Sequence, residues 1–250
     1  MIRFAAPALT AMALLAAPAQ ALDLSNMNED ERSAFRAEIR SYLLENPEVI
    51  IEAIDILEQQ RAEAEAQADY ALVAHNADEL FNDGYSWVGG NPDGDITLVE
   101  FMDYRCGYCR KAVPEVAKVL KEDGNIRLII KEYPILGEAS VLSARFAVAT
   151  LKVAGNDAYK QVHDALLEYS GEVNEVSLRR ISEGLGLETD KIFETMPSAE
   201  VTEDLTRTAQ LAQRMNISGT PTFVLDDELL RGYLPAEQML IMVDDKRDKG

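Results

Sequence analysis

Two cysteines, Cys106 and Cys109, are the only ones in the 250-residue chain. They follow an apolar run (96–102) and precede side chains whose apolar members recur at helical spacing as far as the breaker at Gly124. A strand that delivers a C-x-x-C pair to the start of a helix is typical of thiol–disulfide exchange. Unpaired N–H groups and the helix dipole favour a thiolate there, so Cys106 is predicted to be the exposed attacking sulfur and Cys109 the resolving one. Three neighbouring cations favour the thiolate in the same way: Arg105, Arg110 and Lys111.

The two thiols have other conceivable uses. A structural disulfide would close a very short loop and would stabilise little, because the chain-entropy gain grows with loop length. A zinc site would need two more ligands, and the only histidines, His75 and His163, do not form a second ligand pair. Cu(I) is compatible with two thiolates, because soft sulfur ligands suit it. Redox chemistry without a cofactor is therefore the main interpretation, and Cu(I) at Cys106 and Cys109 stays open.

The N-terminus predicts export. Residues 1–3 give a basic start, residues 5–17 are apolar, and Ala19-Gln20-Ala21 fits a small-x-small cleavage site, so residues 1–21 are predicted to be a signal peptide. The apolar run is too short to span a membrane. Export would place the cysteine pair in an oxidising compartment, here the periplasm. The net charge of −20 argues against nucleic acid or anionic lipid as a partner.

Residues 22–84 are predicted to form an N-terminal helical arm. A first helix is expected over Ser25–Asn46, and a second opens at Pro47 and runs without an internal breaker to about Phe81. Apolar and small residues recur along them at heptad-like spacing: Leu43, Ile50, Ile54, Leu57, Ala64, Ala68 and Ala71. This narrow seam favours self-association, and its isoleucines favour a homotrimer, whereas the alternative is that the segment packs on its own domain.

Residues 85–250 are predicted to form one α/β domain. A strand over 95–102, the helix after the cysteines and a strand over 126–133 form a β-α-β unit, because continuous apolar runs are typical of parallel strands. The preceding residues, 85–94, are interpreted as a connection that closes in a turn.

The rest of this domain is predicted to be a helical insertion followed by a hairpin. From about residue 138 to residue 216, the apolar residues recur almost throughout at helical spacing. Two short β-prone runs within 222–233 flank a turn at Asp226-Asp227, which predicts a β-hairpin, and a final helix is expected from Pro235 to the end.

Several of these stretches together resemble a known family. Residues 100–109 (EFMDYRCGYC), the helical insertion and residues 219–223 (GTPTF) are similar to the DsbA-type branch of thioredoxin-fold oxidoreductases. The N-terminal arm and residues 90–95 (GNPDGD) resemble the ScsC (suppressor of copper sensitivity protein C) members. The resemblance implies a thioredoxin fold with a helical insertion, preceded by an N-terminal helical oligomerisation arm.

The resemblance also implies a substrate-binding surface. Thr220-Pro221 is expected to be a cis peptide that faces the disulfide, which would expose the Thr220 backbone to an extended substrate. Gly107 and Tyr108, between the cysteines, are expected to contribute to the same surface. Because neither is a histidine, extreme oxidising power is not expected.

The same comparison assigns a buried acid. Glu100, in an apolar strand, resembles the family's carboxylate beneath the active site, which can take the proton of Cys109. Its pKa should be raised by desolvation. Lys131, in the adjacent predicted strand, is its predicted ion partner, and the alternative is a solvated pair at the sheet edge.

The combined interpretation is a periplasmic thiol–disulfide oxidoreductase acting on exported proteins that contain cysteines, with a disulfide isomerase preferred. An isomerase must be held reduced by a membrane electron donor of the ScsB or DsbD type, whereas a DsbA-like oxidase must be held oxidised. Several active sites joined by an arm favour the isomerase, because one complex can then engage several sites of a misfolded protein. A Cu(I)-binding copper-tolerance protein that uses the same thiolates is the alternative of a different class.

Overall fold

The computed structural model describes residues 26–249, in which one compact unit ends at Gln59 and a second begins at Gln60. The predicted signal peptide, residues 1–21, lies outside the described residues. No helix within 26–249 is both long and apolar enough to cross a membrane.

Two helices open the described chain, α1 (Glu29–Glu45) and α2 (Glu48–His75). Asn28 caps helix α1: its side chain accepts from the N–H of Glu31, while the Glu31 carboxylate accepts from the N–H of Asn28. This capping box satisfies two N–H groups that a helix leaves unpaired. None of the side chains of α1 is buried, and both helices up to residue 59 expose large apolar residues: Phe35, Ile39, Tyr42, Leu44, Ile50, Ile51, Ile54, Ile56 and Leu57.

The second unit is built on a five-stranded sheet in the order β1-β3-β2-β4-β5. Its strands are β1 (Trp87–Gly90), β2 (Ile96–Met102), β3 (Ile126–Glu132), β4 (Thr222–Leu225) and β5 (Glu228–Arg231). Strands β2 and β3 are parallel and are joined through helix α4 (Gly107–Asp123), whereas the other neighbouring pairs are antiparallel. The predicted β-α-β unit and hairpin are confirmed.

The remaining helices complete the thioredoxin-like architecture. Between β3 and β4 lie α5 (Glu138–Glu168, kinked at Gly155), α6 (Glu175–Gly184), α7 (Thr189–Thr195) and α8 (Ala199–Arg214). These four helices are the predicted helical insertion. Helix α9 (Ala236–Lys249) follows the hairpin, and its first N–H is capped by Glu115 of α4 at 2.9 Å.

Both faces of the sheet are buried, and they carry different residues. Even-numbered β2 and β3 side chains such as Leu98, Met102 and Ile130 pack in the core that contains both cysteines. Odd-numbered ones such as Phe101 and Ile129 pack on the other face. A shift of one residue along either strand would therefore move its side chains to the opposite face of the sheet.

The end of the predicted arm differs from the prediction. Instead of one helix to Phe81, α2 stops at His75 and a short helix α3 (Ala77–Phe81) follows Asn76. The Asn76 side chain donates to the carbonyl of Leu72 at 2.8 Å and accepts from Arg214 at 3.0 Å.

These hydrogen bonds fix the chain as it turns onto the sheet. Val73 and Leu80 are buried with Ile129 in the core of the second unit. The predicted division at residue 84 thus differs from the division at Gln59 that the compact units show.

Strand β1 was predicted to be part of a connection. It pairs antiparallel with β3, placing Trp87 opposite Ile130. A Cβ at Gly89 would lie 2.0 Å from the Trp87 ring, so a side chain has no room there. Glycines are poor strand formers, and here pairing with β3 overrides that preference.

Candidate active site

The two cysteines lie at the N-terminus of α4. Cys106 is the N-cap residue, with extended backbone (φ −76°, ψ 119°), and Cys109 lies within the first turn. Both thiols are free. Cys106 is 7% exposed and Cys109 only 1%, so both are largely covered and Cys106 keeps the greater access. This order of access is the one expected for an attacking and a resolving sulfur.

The loop before β4 faces Cys106. The Cys106 Sγ donates to the Thr220 carbonyl at 3.1 Å, and the Thr220–Pro221 peptide is cis, as the resemblance implies. The Thr222 hydroxyl holds the loop by donating to the Gly219 carbonyl at 2.8 Å. Because β4 pairs directly with β2, the sheet brings this loop to the cysteines although it is distant in sequence.

A buried aspartate that the sequence analysis missed ties two loops together. Asp103 accepts from the N–H of Arg105 at 2.7 Å through one oxygen, and from those of Ile135 and Leu136 at 2.8 and 3.0 Å through the other. Its backbone carbonyl accepts from the N–H of Cys106 at 3.0 Å. An aspartate between a strand and a helix is typical of such turns, and this was the available signal.

The surface beside the cysteines is open and partly apolar. Tyr108 is 63% exposed, and Leu136 of the neighbouring loop is 52% exposed. A groove of about 880 Å³ lies next to Arg105, and Val141, Leu142 and Val173 contribute its apolar lining. The surface next to the cysteines therefore offers exposed apolar area, with charged groups such as Arg145 and Glu172 in the same groove.

Glu100 is buried on the face of the sheet that carries Cys109. Burial, with the nearby Glu132 as a second cause, raises the pKa of Glu100 to about 8. Burial also raises the pKa of the Cys109 thiol well above its usual range, and the charge of Glu100 adds to this shift. Glu100 and Cys109 can therefore exchange a proton, because each of these two groups holds its proton more tightly than the same group would in water.

The predicted ion pair between Glu100 and Lys131 is wrong. Strand β2 pairs with β3 so that Glu100 lies opposite Ile130, which places Lys131 on the other face of the sheet. There the Lys131 ammonium donates to Asp83 at 2.5 Å and to the carbonyl of Glu79 at 2.7 Å.

A second buried carboxyl, Glu132, lies on the face of Glu100. Its Oε1 accepts from the hydroxyls of Tyr104 and Tyr159, each at 2.6 Å. Burial raises its pKa to about 8 in spite of these two bonds. His163 lies 3.1 Å from the Tyr104 hydroxyl, and burial lowers its pKa to about 4. The sequence signal for Glu132 was a charged residue that ends an apolar strand.

Within residues 26–249, no group of three or more His, Cys, Asp or Glu side chains is arranged to hold a metal ion. The expectation of Cu(I) concerns the two thiols alone, so it stays a prediction.

Comparison with known proteins gives the family. Residues 97–241 match the model of the DSBA-like thioredoxin domain, and residues 31–64 match that of the Copper resistance protein ScsC N-terminal domain. A thioredoxin-like oxidoreductase from Silicibacter pomeroyi is 42% identical, covering 68% of this chain and 97% of that one, with a TM-score of 0.64.

The arm is also represented among solved structures. A Proteus mirabilis ScsC structure in a transitional conformation is 26% identical and covers 91% of this chain and 100% of that one, with a TM-score of 0.65. Other relatives are much longer. A Na(+)/H(+) antiporter from Salinispora arenicola is 29% identical over 61% of this chain, which spans 23% of that protein. Together with the cysteine pair at the start of α4 and the cis Thr220–Pro221 peptide, these matches show that the chain belongs to the DsbA-like family of thioredoxin-fold thiol–disulfide oxidoreductases, with an N-terminal domain of the ScsC type.

Proposed function

We propose that this protein is a periplasmic disulfide isomerase that acts on exported proteins containing cysteines. The observation that carries the proposal is Cys106 at the N-cap of α4, more accessible than Cys109 and beside the Thr220 carbonyl. The Cys106 thiolate attacks a substrate disulfide, forms a mixed disulfide and releases one substrate sulfur as a thiolate. That thiolate can attack a different substrate disulfide, so the substrate reshuffles its own bonds.

Cys109 provides the second route out of the mixed disulfide. Its proton moves to the Glu100 carboxylate, and the new thiolate attacks Cys106. The Cys106–Cys109 bond forms, the bond to the substrate breaks, and the substrate sulfur leaves as a thiolate. A membrane electron donor of the ScsB or DsbD type would then return the pair to the dithiol. Lys131 has no part in this step, since it lies on the other face of the sheet.

The substrate is an extended segment rather than a folded surface. The backbone of Thr220 and Pro221 would pair with it as a strand, and Gly107 and Tyr108 would contact it beside the sulfur. The apolar lining of the adjacent groove suits the side chains that an unfolded protein exposes. Tight recognition of one sequence is not expected from such a surface.

Several catalytic units would be joined through the N-terminal helices. The exposed apolar side chains of the seam, Ile50, Ile54 and Leu57, offer area that could be buried against other copies, at about 25 cal/mol per Å². The isoleucines of the seam favour a trimer. A trimer would let one assembly engage several sites of a misoxidised protein.

Light scattering and a reshuffling assay test this proposal together. The wild type should be a trimer that restores activity to a protein with scrambled disulfides. Ile54→Glu should give a monomer that still reduces simple disulfides but reshuffles poorly. Ile56→Glu is the matched control, because it places the same charge about 200° round the helix from Ile54. A monomeric wild type would contradict the role of the helices.

An oxidase is the nearest alternative, and the redox state in the cell separates it from an isomerase. Rapid acid quenching followed by alkylation reports whether Cys106 and Cys109 are dithiol or disulfide. A mainly reduced pair supports the isomerase, and a mainly oxidised pair supports a DsbA-like oxidase.

The two free thiols also support Cu(I) binding as a second candidate function. Titration of the reduced protein with Cu(I) against a competing chelator, compared with Cys106→Ser, tests it. Loss of affinity in the variant supports copper binding, and equal weak affinity in both proteins excludes it.

A further inference from the structure

Two buried acids, Glu100 and Glu132, lie on the face of the sheet that carries the resolving cysteine. In the parallel register of β2 and β3, Glu100 lies opposite Ile130 and Met102 opposite Glu132, so the two carboxyls are diagonal neighbours on one face. They are 7% and 6% exposed. Two carboxylates that are neighbours in an apolar core cannot both ionise readily, so the pair is expected to lose its two protons in separate steps, with a state of one charge and one proton in between.

The hydrogen bonds decide which acid holds the charge. Two hydroxyls, from Tyr104 and Tyr159, donate to Glu132 Oε1. Because Tyr104 gives its only proton to Glu132, its oxygen is left to accept from the Nδ1–H of neutral His163, 3.1 Å away. Glu100 accepts no hydrogen bond from any residue within 26–249. A buried carboxylate is stabilised by donors, so the charge belongs on Glu132 and the proton on Glu100.

The other groups that face the pair leave this assignment in place. From α5, Tyr159 is neutral and so is His163, because burial raises the pKa of the tyrosine and lowers that of the histidine. Burial likewise keeps Tyr104, which follows β2, protonated. Asp103 is a further negative charge near Glu132, but its oxygens are occupied by three backbone N–H groups.

From α4, Cys109 faces Glu100, and Cys106 lies beyond it at the helix start. The nearest buried cation in β3, Lys131, is on the opposite face. No compensating positive charge from the strands therefore reaches the pair.

We propose that Glu132 is a positioning residue for the proton of the active site: its carboxylate, held by Tyr104 and Tyr159, keeps Glu100 protonated and so sets the pH at which Glu100 becomes a base for Cys109. This inference rests on the proposed exchange chemistry. When Glu100 has released its proton to solvent, it accepts the proton of Cys109, whose thiolate then displaces the substrate sulfur from Cys106. Glu132 touches neither sulfur and acts only through Glu100.

The test measures the resolving step alone. The mixed disulfide of Cys106 with glutathione is prepared, and the rate of glutathione release is followed as a function of pH. Glu132→Gln keeps an oxygen for the two tyrosine hydroxyls but removes the charge. The midpoint of its rate profile should lie about one pH unit below that of the wild type. Glu122→Gln, an exposed acid of the same helix as the cysteines, is the matched control and should leave the midpoint unchanged.

A merely structural Glu132 would change the rate or the stability without moving the midpoint, and that result would overturn the inference. Should Glu132→Gln fold poorly, Tyr159→Phe removes one of the two donors and should move the midpoint in the same direction by less. Carbon-13 titration of the Glu100 carboxyl in the full chain does not depend on turnover. If no mixed disulfide forms but the Glu100 titration still shifts in Glu132→Gln, the proposed function fails and the proton assignment stands. An unshifted titration overturns the assignment.

Discussion

The variant Lys131→Met tests whether a residue on one face of the sheet affects the chemistry of Glu100 and the cysteines on the other face. The Lys131 ammonium is fully buried and pairs with Asp83, whose side chain is 5% exposed. Removing one partner of a buried ion pair costs about 3–5 kcal/mol. In Lys131→Met, Asp83 keeps hydrogen bonds from Ser86 and from the N–H of Tyr85, so the lower end of that range applies.

The expected result is a loss of stability without a loss of chemistry. The free energy of unfolding, measured in urea at neutral pH, should fall by about 3 kcal/mol. Under native conditions, alkylation of Cys106 and turnover of a small disulfide should stay within about twofold of the wild type. Glu100→Gln is the contrasting variant: it should slow the step that depends on Cys109.

The stability lost in Lys131→Met should depend on pH, and the pKa of Asp83 gives the direction of that dependence. Burial works against ionisation of Asp83, but Lys131 and Ser86 outweigh it and lower its pKa, so the pair stabilises the fold above the usual aspartate range. Without Lys131, burial would raise that pKa, and the deficit of Lys131→Met should shrink as the pH falls and Asp83 becomes protonated. Asp83→Asn combined with Lys131→Met should recover most of the lost stability. A fall in turnover of about tenfold in a stable Lys131→Met protein would refute the reasoning and restore Lys131 as the partner of Glu100.

Three further outcomes are expected. Because the pKa of Glu100 is raised by burial from 4.5 to about 8, the folded state binds the extra proton between those values, and wild-type stability should decline as pH rises through this window. Glu100→Gln should remove up to about 1.4 kcal/mol per pH unit of that decline in urea titrations. Deletion of 22–59 should leave a folded protein with a reactive Cys106, whereas deletion of 22–80 removes buried Leu80 and should unfold it by circular dichroism. Tyr108→Ala should change stability by less than about 0.5 kcal/mol but raise the KM for a protein substrate.

The local features of this fold could be predicted from the sequence. The apolar run before the cysteines and the helical spacing after them indicated β2 and α4, because each pattern depends on neighbouring residues alone. The hairpin followed from a turn at Asp226 between two β-prone runs, and Asp226 has a positive φ of 51°. The helical insertion and the N-terminal arm could likewise be predicted, because their apolar residues recur at helical spacing.

The features set by tertiary contacts could not be predicted. Strand β1 contains Gly89 and Gly90, and only pairing with β3 makes it a strand. The stop at His75 depends on Arg214, which is distant in sequence.

The candidate site shows the same limit, because the sequence alone does not tell which of the adjacent residues Lys131 and Glu132 shares a face with Glu100. Strand β3 is buried on both faces, so its apolar run has no alternation from which to assign Lys131 or Glu132 to the face of Glu100. Pairing with β2 gives Glu132 the position beside Glu100. The acid in β2 was found from the family resemblance, and its true neighbour required the structure.

Trapping of mixed disulfides tests most directly the claim that Cys106 attacks and Cys109 resolves. Cys109→Ser and Cys106→Ser proteins are each incubated with an unfolded, disulfide-containing protein, quenched with acid and alkylated, and the adducts are mapped by mass spectrometry. Cys109→Ser should accumulate an adduct at Cys106, because the thiol that would release the substrate is missing. Cys106→Ser should accumulate none, since Cys109 is buried and its thiol holds its proton tightly. An adduct at Cys109 in the Cys106→Ser protein, with none in Cys109→Ser, would contradict the assignment of the two sulfurs.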